Sequence, residues 1–126
     1  MEDPSARLPK ELLRKNPLAY VRQGAEGLPK DLQGAWLLGV VSGFLWPEAP
    51  PPRDLKALFR RMEGAWQEAE AYFWENGLDF PVLVSEWARS ALEPLLHRKR
   101  LPEFAHLAQA FCQGKALGQA LRRLAS

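Results

Sequence analysis

The apolar positions of this chain recur at steps of three and four residues, which is the spacing of one face of an α-helix. Alternating β-branched runs, the pattern of a half-buried strand, do not occur in the sequence. The sequence therefore predicts an all-α protein, a compact single-domain bundle of about five helices. The clearest helix follows Arg53, ends at a capping Gly77, and carries an apolar stripe of Leu55, Leu58, Phe59, Met62, Trp66, Ala69 and Phe73.

The N-terminal part is predicted to hold one short helix. It starts after Pro9 and ends before Asn16-Pro17, because a residue that precedes proline is pushed out of the α region. A glycine-containing linker is expected around residues 23–27. We therefore describe a single helical domain, 1–126, in which 1–28 form a short helix and linker and 29–126 form the helical core.

The second predicted helix runs from about Pro29 to Leu45, since proline suits the first turn of a helix. Gly39 and Gly43 lie one turn apart and permit another backbone to approach closely. A proline-rich link, residues 47–52, is expected to be stiff and extended. The core face of this helix is predicted to consist of Leu32, Trp36, Val40 and Phe44.

Two further helices are predicted in the C-terminal half. The fourth begins at the capping residue Asp79, and Pro94 should break or kink it. The fifth opens at Pro102, and its stripe contains Phe104 and Phe111. The buried face of the fourth helix is predicted to contain Leu83, Trp87 and Ala91.

Charge is sorted into blocks along the chain, although the formal net charge is only +2. Residues 1–61 carry +3, residues 62–97 carry −6 and residues 98–126 carry +5. An acidic middle segment between two basic ends suits head-to-tail self-association or a basic surface for an anion.

The candidates for chemistry are few, and each has a simpler structural explanation. Cys112 follows Phe111 in an apolar helix and is expected to be a buried structural thiol. His97 and His106 have neither the spacing nor the partners of a zinc site, and no phosphate-binding loop is present. The acidic residues Glu68, Glu70, Glu75 and Asp79 are expected to be solvated. The sequence thus predicts a protein that is not an enzyme and that uses no metal or cofactor.

The cellular setting is predicted from the same residues. A single cysteine excludes an intrachain disulfide, and the N-terminus lacks the layout of a signal peptide. The longest near-apolar run, residues 35–46, is too short to cross a bilayer. We expect a cytoplasmic protein with no membrane partner.

The candidates for binding are clustered bases and two tryptophans. Arg53, Lys56 and Arg60 occupy one helix face, with Arg61 beside them, and Arg98-Lys99-Arg100 lies between two helices. Such point charges can follow a phosphate backbone without reading its sequence. Trp46 and Trp74 lie off the apolar stripes, and an exposed tryptophan can anchor an interface or stack on a base.

The order of elements resembles the small helical subunit of type III-A CRISPR effector complexes, which are RNA-guided assemblies. The resemblance covers roughly Gly27 to Leu121. The matching motifs are Gly27-Leu28 before the second helix, Tyr72-Phe73-Trp74-Glu75-Asn76-Gly77 at the end of the third, Pro94-Leu95-Leu96, and Phe104 and Phe111 followed by Gln113-Gly114. It implies a non-catalytic subunit that contacts the guide RNA–target RNA backbone and packs head to tail with neighbouring subunits and with itself.

The chain departs from this family where the family favours bases near RNA. Those positions hold Gln33, Ala69, Glu70, Ala71 and Leu78. The RNA contact would then depend on Lys30, Arg53, Lys56, Arg60, Arg61, Arg98, Lys99 and Arg100. The alternative is a helical protein–protein adaptor with no nucleic-acid role, which would dock through its acidic segment and exposed aromatics.

Overall fold

A computed structural model describes residues 17–125, and the side chains of residues 17–124. Of these residues 81% are helical, and no strand occurs among them, which confirms the all-α prediction. The predicted helix after Pro9 lies outside the described residues. The elements are α1 (Pro17–Glu26), α2 (Lys30–Leu45), α3 (Leu55–Asn76), α4 (Phe80–Leu92), the 3₁₀ helix η1 (Glu93–His97) and α5 (Phe104–Ala125).

The predicted linker at residues 23–27 is wrong over most of its length, because α1 occupies residues 17–26. Pro17 begins this helix, as proline can at a first helical position. Val21 and Ala25, one turn apart, are buried against the core. Gly24 allows the Trp36 ring to pack on α1, since an added Cβ would lie 2.6 Å from that ring.

The second helix, α2, is the centre of the bundle. Every residue from Gly34 to Phe44 is buried, so the predicted single core face is too narrow a description. A helix that is apolar on all sides needs neighbours on all sides. It packs most extensively on α5 and also contacts α1, α3 and α4.

Glycines on both helices set the close approach of α2 and α5. A Cβ added to Gly39 or Gly43 would lie less than 3.0 Å from the α5 backbone. A Cβ added to Gly114 or Gly118 would meet the α2 backbone equally closely. The predicted close backbone approach is therefore confirmed, and both helices contribute glycines to it.

The third helix, α3, is capped at both ends, and of the two caps Gly77 was predicted from the sequence. The Asp54 carboxylate accepts a hydrogen bond from the Ala57 N–H at 2.8 Å. Gly77 ends the helix in the left-handed region, with φ of 74°. Leu58, Met62 and Ala69 are buried as the stripe predicts, whereas Trp66 and Phe73 are only half-buried and do not belong to the core.

The proline-rich link is held by hydrogen bonds from two helices. Gln119 Nε2 on α5 donates to the Pro47 carbonyl at 2.7 Å. Lys115 Nζ on α5 donates to the Ala49 carbonyl. Arg61 on α3 donates to the Pro50 carbonyl at 2.8 Å. These contacts tie α5 and α3 to the segment that connects α2 with α3.

Pro94 changes the helix type instead of ending the helical path, because α4 continues directly into η1. Leu92 and Leu95 are buried there, while the segment after His97 leaves regular structure until α5. Within the described residues, no helix combines the length and apolarity that a bilayer crossing requires.

Candidate functional site

The main surface feature is a groove of about 590 Å³ between the N-terminal half of α3 and the segment that joins η1 to α5. We call it the basic groove. Its walls are mainly apolar, and charged side chains stand at its edges. It is lined by Leu55, Lys56, Phe59, Arg60, Glu63, Leu95, Leu96 and Leu101.

Two leucines of the basic groove are exposed for a structural reason. Pro94 forces a 3₁₀ turn, and Pro102 cannot donate a hydrogen bond to continue a helix. In this short interruption the consecutive residues Leu95 and Leu96 cannot both face the core. Leu95 is buried, whereas Leu96 is 55% exposed and Leu101 is 41% exposed. The result is apolar surface beside a charged edge, which is a feature of binding sites.

The fold brings parts of the two predicted basic clusters to this groove, whereas Arg53 is exposed and does not line it. Lys56 and Arg60 are exposed and line the α3 wall. The Arg98-Lys99-Arg100 segment leads directly into Leu101 on the opposite wall. Basic residues that are about 40 positions apart in the sequence thus lie on one surface, which raises the local positive electrostatic potential.

An ion pair fixes part of this surface to α2. The Arg98 guanidinium donates to the Asp31 carboxylate, and both side chains are about half exposed. This contact brings Lys30, the neighbour of Asp31, close to the Arg98–Arg100 segment. Lys30 is exposed at the first residue of α2. It therefore extends the basic surface beyond the groove.

The sequence grouped Arg61 with the RNA contacts. In the structure its side chain instead connects α3 to α2 and to the proline-rich link. Its Nη1 donates to the Ser42 hydroxyl at 2.8 Å, and Ser42 is fully buried. Its guanidinium also lies over the Trp46 and Phe111 rings, at 5.8 and 5.9 Å. Burial lowers the pKa of Arg61 below its ordinary value, yet a guanidinium stays charged at neutral pH. These contacts indicate a structural role for Arg61.

The two tryptophans predicted as interface residues have different environments. Trp46 packs against the core and is only partly exposed, so its predicted exposure is largely wrong. The reason is the proline-rich link, which folds back and leaves the Trp46 ring under Arg61. Trp74 is 76% exposed at the far end of α3, and its predicted exposure is confirmed.

A second depression, of about 320 Å³, continues the basic groove along α3. The two share Glu63 and Leu96. An ion pair of 2.7 Å between Arg89 and Glu93 lies at its edge. The charge therefore changes from basic to mixed along α3. The depression is lined by Met62, Glu63, Trp66, Gln67, Arg89, Glu93 and Leu96.

The groups considered for chemistry do not come together in the described part of the chain. Cys112 is exposed, so its predicted burial is wrong: α5 buries Phe111 and turns the next residue outward. His97 and His106 are also exposed. Among the residues described here, no three side chains of His, Cys, Asp or Glu are placed to share a metal ion.

Two positions where the resembled family favours a base have structural roles here. The Gln33 amide donates to the Leu28 carbonyl at 3.0 Å and closes the turn between α1 and α2. Ala69 is fully buried in α3, where a base would bury its charge. These two positions therefore offer RNA no positive charge.

The leucine walls of the groove are the part of the site that sequence reasoning missed. Leu55 and Phe59 were assigned to the core stripe, and Leu101 was assigned no role. A signal was present, because Leu95-Leu96 and Leu101 stand between two prolines and lack helical periodicity.

No protein-family profile, no curated protein and no solved structure matches this chain. The resemblance described above therefore stays a prediction from the sequence. Function has to be inferred from the basic groove and from the surfaces around it.

Proposed function

We propose that this protein is a non-catalytic small subunit of a type III-A CRISPR effector complex that binds the guide RNA–target RNA backbone and packs against neighbouring subunits. One observation carries the proposal: Lys56 and Arg60 line the same groove as Leu101, which directly follows the exposed basic segment Arg98-Lys99-Arg100. The resemblance in the order of elements supports the same function.

The arrangement suits contact with a phosphate backbone in particular. Lys56 and Arg60 project from a capped 22-residue helix, which holds them at a constant spacing. Lys99 and Arg100 are exposed in the segment that leads to Leu101 on the opposite wall. Contacts of this kind attract polyanions and fix their path, and they do not distinguish one base sequence from another. That property is what a subunit needs if base pairing in the guide supplies the specificity.

The test is the salt dependence of RNA binding by the full chain. We expect the double variant Lys99→Gln/Arg100→Gln to bind a fluorescent single-stranded RNA more weakly. The slope of log K against log salt should fall by about 0.7 for each phosphate that the protein no longer neutralises. The measurement is fluorescence anisotropy over a series of salt concentrations.

The matched control is Arg22→Gln/Arg123→Gln, which removes the same charge from exposed positions on α1 and α5. The Arg22 guanidinium lies over the Trp87 ring at 4.9 Å, so thermal unfolding first verifies that the control keeps its fold. The control should lose less affinity and keep its slope. Equal losses in both double variants would mean that only net charge matters. An unchanged slope for Lys99→Gln/Arg100→Gln would remove the Arg98–Arg100 segment from the RNA contact.

Membership of an assembly has its own test. The tagged chain, isolated from its native cell at low salt, should bring with it short RNAs of discrete length and several larger proteins. A complex with one protein partner that survives nuclease treatment would contradict the proposal.

A second candidate, the protein–protein adaptor, is favoured by one observation. Trp74, Leu96 and Leu101 are exposed apolar side chains, and such residues anchor protein interfaces. If the chain is only an adaptor, Trp74→Ala abolishes capture of its partner, while removal of RNA has no effect on that capture.

A further inference from the structure

We propose that the C-terminal end of α3 in one copy of the chain docks in the basic groove of a second copy. This inference rests on the self-association included in the proposed function and names the two surfaces that would make it. The occupant of the groove is thus another copy of the same chain, with Trp74 as the inserted side chain.

The docking end of α3 combines an exposed aromatic side chain with negative charge. Trp74 is 76% exposed and Leu78, just past the helix, is 39% exposed. Glu70 and Glu75 are also exposed. Glu70 lies four residues before Trp74 and so on the same helix face. We call this surface, residues 70–78, the acidic end.

The basic groove is complementary to the acidic end in both respects. Its exposed leucines, Leu96 and Leu101, offer apolar contact to an indole ring. Lys56 and Arg60 line it together with one acidic residue, Glu63. The lining is therefore net positive, and it would attract Glu70 and Glu75 of another copy. Its volume of about 590 Å³ lies within the range of about 300–1,000 Å³ that ligand pockets occupy.

Trp74 is partly ordered before any docking takes place. Its ring contacts the Phe73 ring edge to face, with centroids 5.3 Å apart, and Phe73 is half-buried. A side chain already held by a neighbour loses less rotamer freedom when it is bound. Tryptophan is also the residue type most often found at the energetic centre of interfaces.

The two surfaces cannot meet within one molecule. Phe59 in the groove and Trp74 at the acidic end are on the same helix, and a rise of 1.5 Å per residue separates them by about 22 Å. They can meet only between copies. Because the surfaces differ, each copy keeps an unused groove or an unused acidic end, and the contact repeats along an open chain of copies.

Docking would engage Lys56 and Arg60 with the acidic end, so in docked copies the RNA contact would depend on other basic residues. Lys30, Lys99 and Arg100 are exposed outside the lining of the groove. Self-association and RNA binding can therefore be changed separately by substitution, and a failure of one proposal can be told from a failure of the other.

The first experiment is sedimentation velocity of the full chain at low salt, with reductant present because Cys112 is exposed. We expect the average mass to rise with protein concentration and to fall as salt screens the contact. Trp74→Ala and the groove variant Leu96→Glu/Leu101→Glu should each remain monomeric. Gln109→Glu, an added charge on the exposed face of α5, is the control and should self-associate normally.

Mixing the two monomeric variants gives the decisive result. Trp74→Ala keeps an intact groove, and Leu96→Glu/Leu101→Glu keeps an intact acidic end. An equimolar mixture should form a one-to-one dimer and nothing larger, since the other two surfaces are damaged.

Three outcomes would overturn the proposal: a wild-type chain that is monomeric at every concentration, a Trp74→Ala variant that still self-associates, and a mixture that contains only monomers. The RNA affinity of Trp74→Ala on a short RNA separates these failures from that of the proposed function. It should equal the wild-type value whether or not the copies dock.

Discussion

At the scale of single residues, Arg60 and Arg61 show how two adjacent basic residues come to have different roles. Arg60 points to solvent at the edge of the basic groove. Arg61, one position further around the helix, donates to Ser42 on α2 and to Pro50 in the link. Successive residues of a helix are rotated by about 100°. This rotation is enough to place Arg60 on the surface and Arg61 against α2 and the link.

Replacing Arg61 by alanine should therefore destabilise the fold. Ser42 is fully buried and would lose its donor, together with the stacking over Trp46. We expect a loss of about 1–3 kcal/mol in the free energy of unfolding, measured by urea denaturation. Arg60→Ala, with the same change of charge, should stay within about 0.5 kcal/mol of the wild type. Equal losses would mean that the ties from Arg61 contribute little.

At the scale of elements, the α2–α5 pair decides how closely the bundle packs. Its four glycines bring the two backbones together because no Cβ separates them. Glycine costs helix propensity, about 1 kcal/mol relative to alanine at each position. The close packing of the two helices offsets that cost and helps to bury α2 from Gly34 to Phe44.

Gly114→Ala should lower stability, because its Cβ would collide with the Trp36 carbonyl of α2. A well-packed interface that must absorb an extra methyl group loses about 1–3 kcal/mol. Gly64→Ala is the matched control, since an added Cβ there meets only the Trp46 ring at 3.9 Å. That variant should gain up to about 1 kcal/mol from helix propensity. Thermal unfolding of both variants is the measurement. Gly114→Ala should melt at a lower temperature than the wild type, and Gly64→Ala at a higher one.

At the scale of the whole molecule, charge is separated along the length of α3. The basic groove lies beside the first half of α3, and the acidic end lies at its C-terminus. A molecule with opposite charges at its two ends can associate in one direction and still present other bases to a polyanion.

If both proposals hold, binding to a long RNA is cooperative. The wild type should cover an RNA several times longer than one copy with a steep binding curve, because each bound copy offers a docking surface to the next. Trp74→Ala should bind the same RNA with a shallow curve and bind a short RNA normally. Gel-shift titration against both RNA lengths measures the difference. A steep curve for Trp74→Ala would place the cooperativity elsewhere.

The helices themselves were largely predictable from local signals. Pro29 precedes the first residue of α2 and Gly77 ends α3, and both act through backbone chemistry that does not depend on the rest of the chain. The linker at residues 23–27 was predicted wrongly because Pro17 can either follow one helix or begin another. What decides between them is the burial of Val21 and Ala25 in the core, where α1 packs on the next helix, α2.

The candidate site was predictable only in part. The bases of the two clusters were visible as charge runs, and the exposure of Trp74 followed from its position off the apolar stripe. Trp46 has the same local appearance, yet the link folds it against the core. Leu96 and Leu101 became a surface because α3 passes beside them.

By itself, the sequence determined the helical class, the helix ends at Pro29 and Gly77, and the sorting of charge into blocks. These depend on backbone preferences and on residues three or four positions apart. The tertiary structure alone decided that Arg61 contacts the interior and that Trp46 packs against the core. It also decided that basic residues from two distant segments lie near one groove. These depend on contacts between residues far apart in the chain, and only packing of the helices brings those residues together.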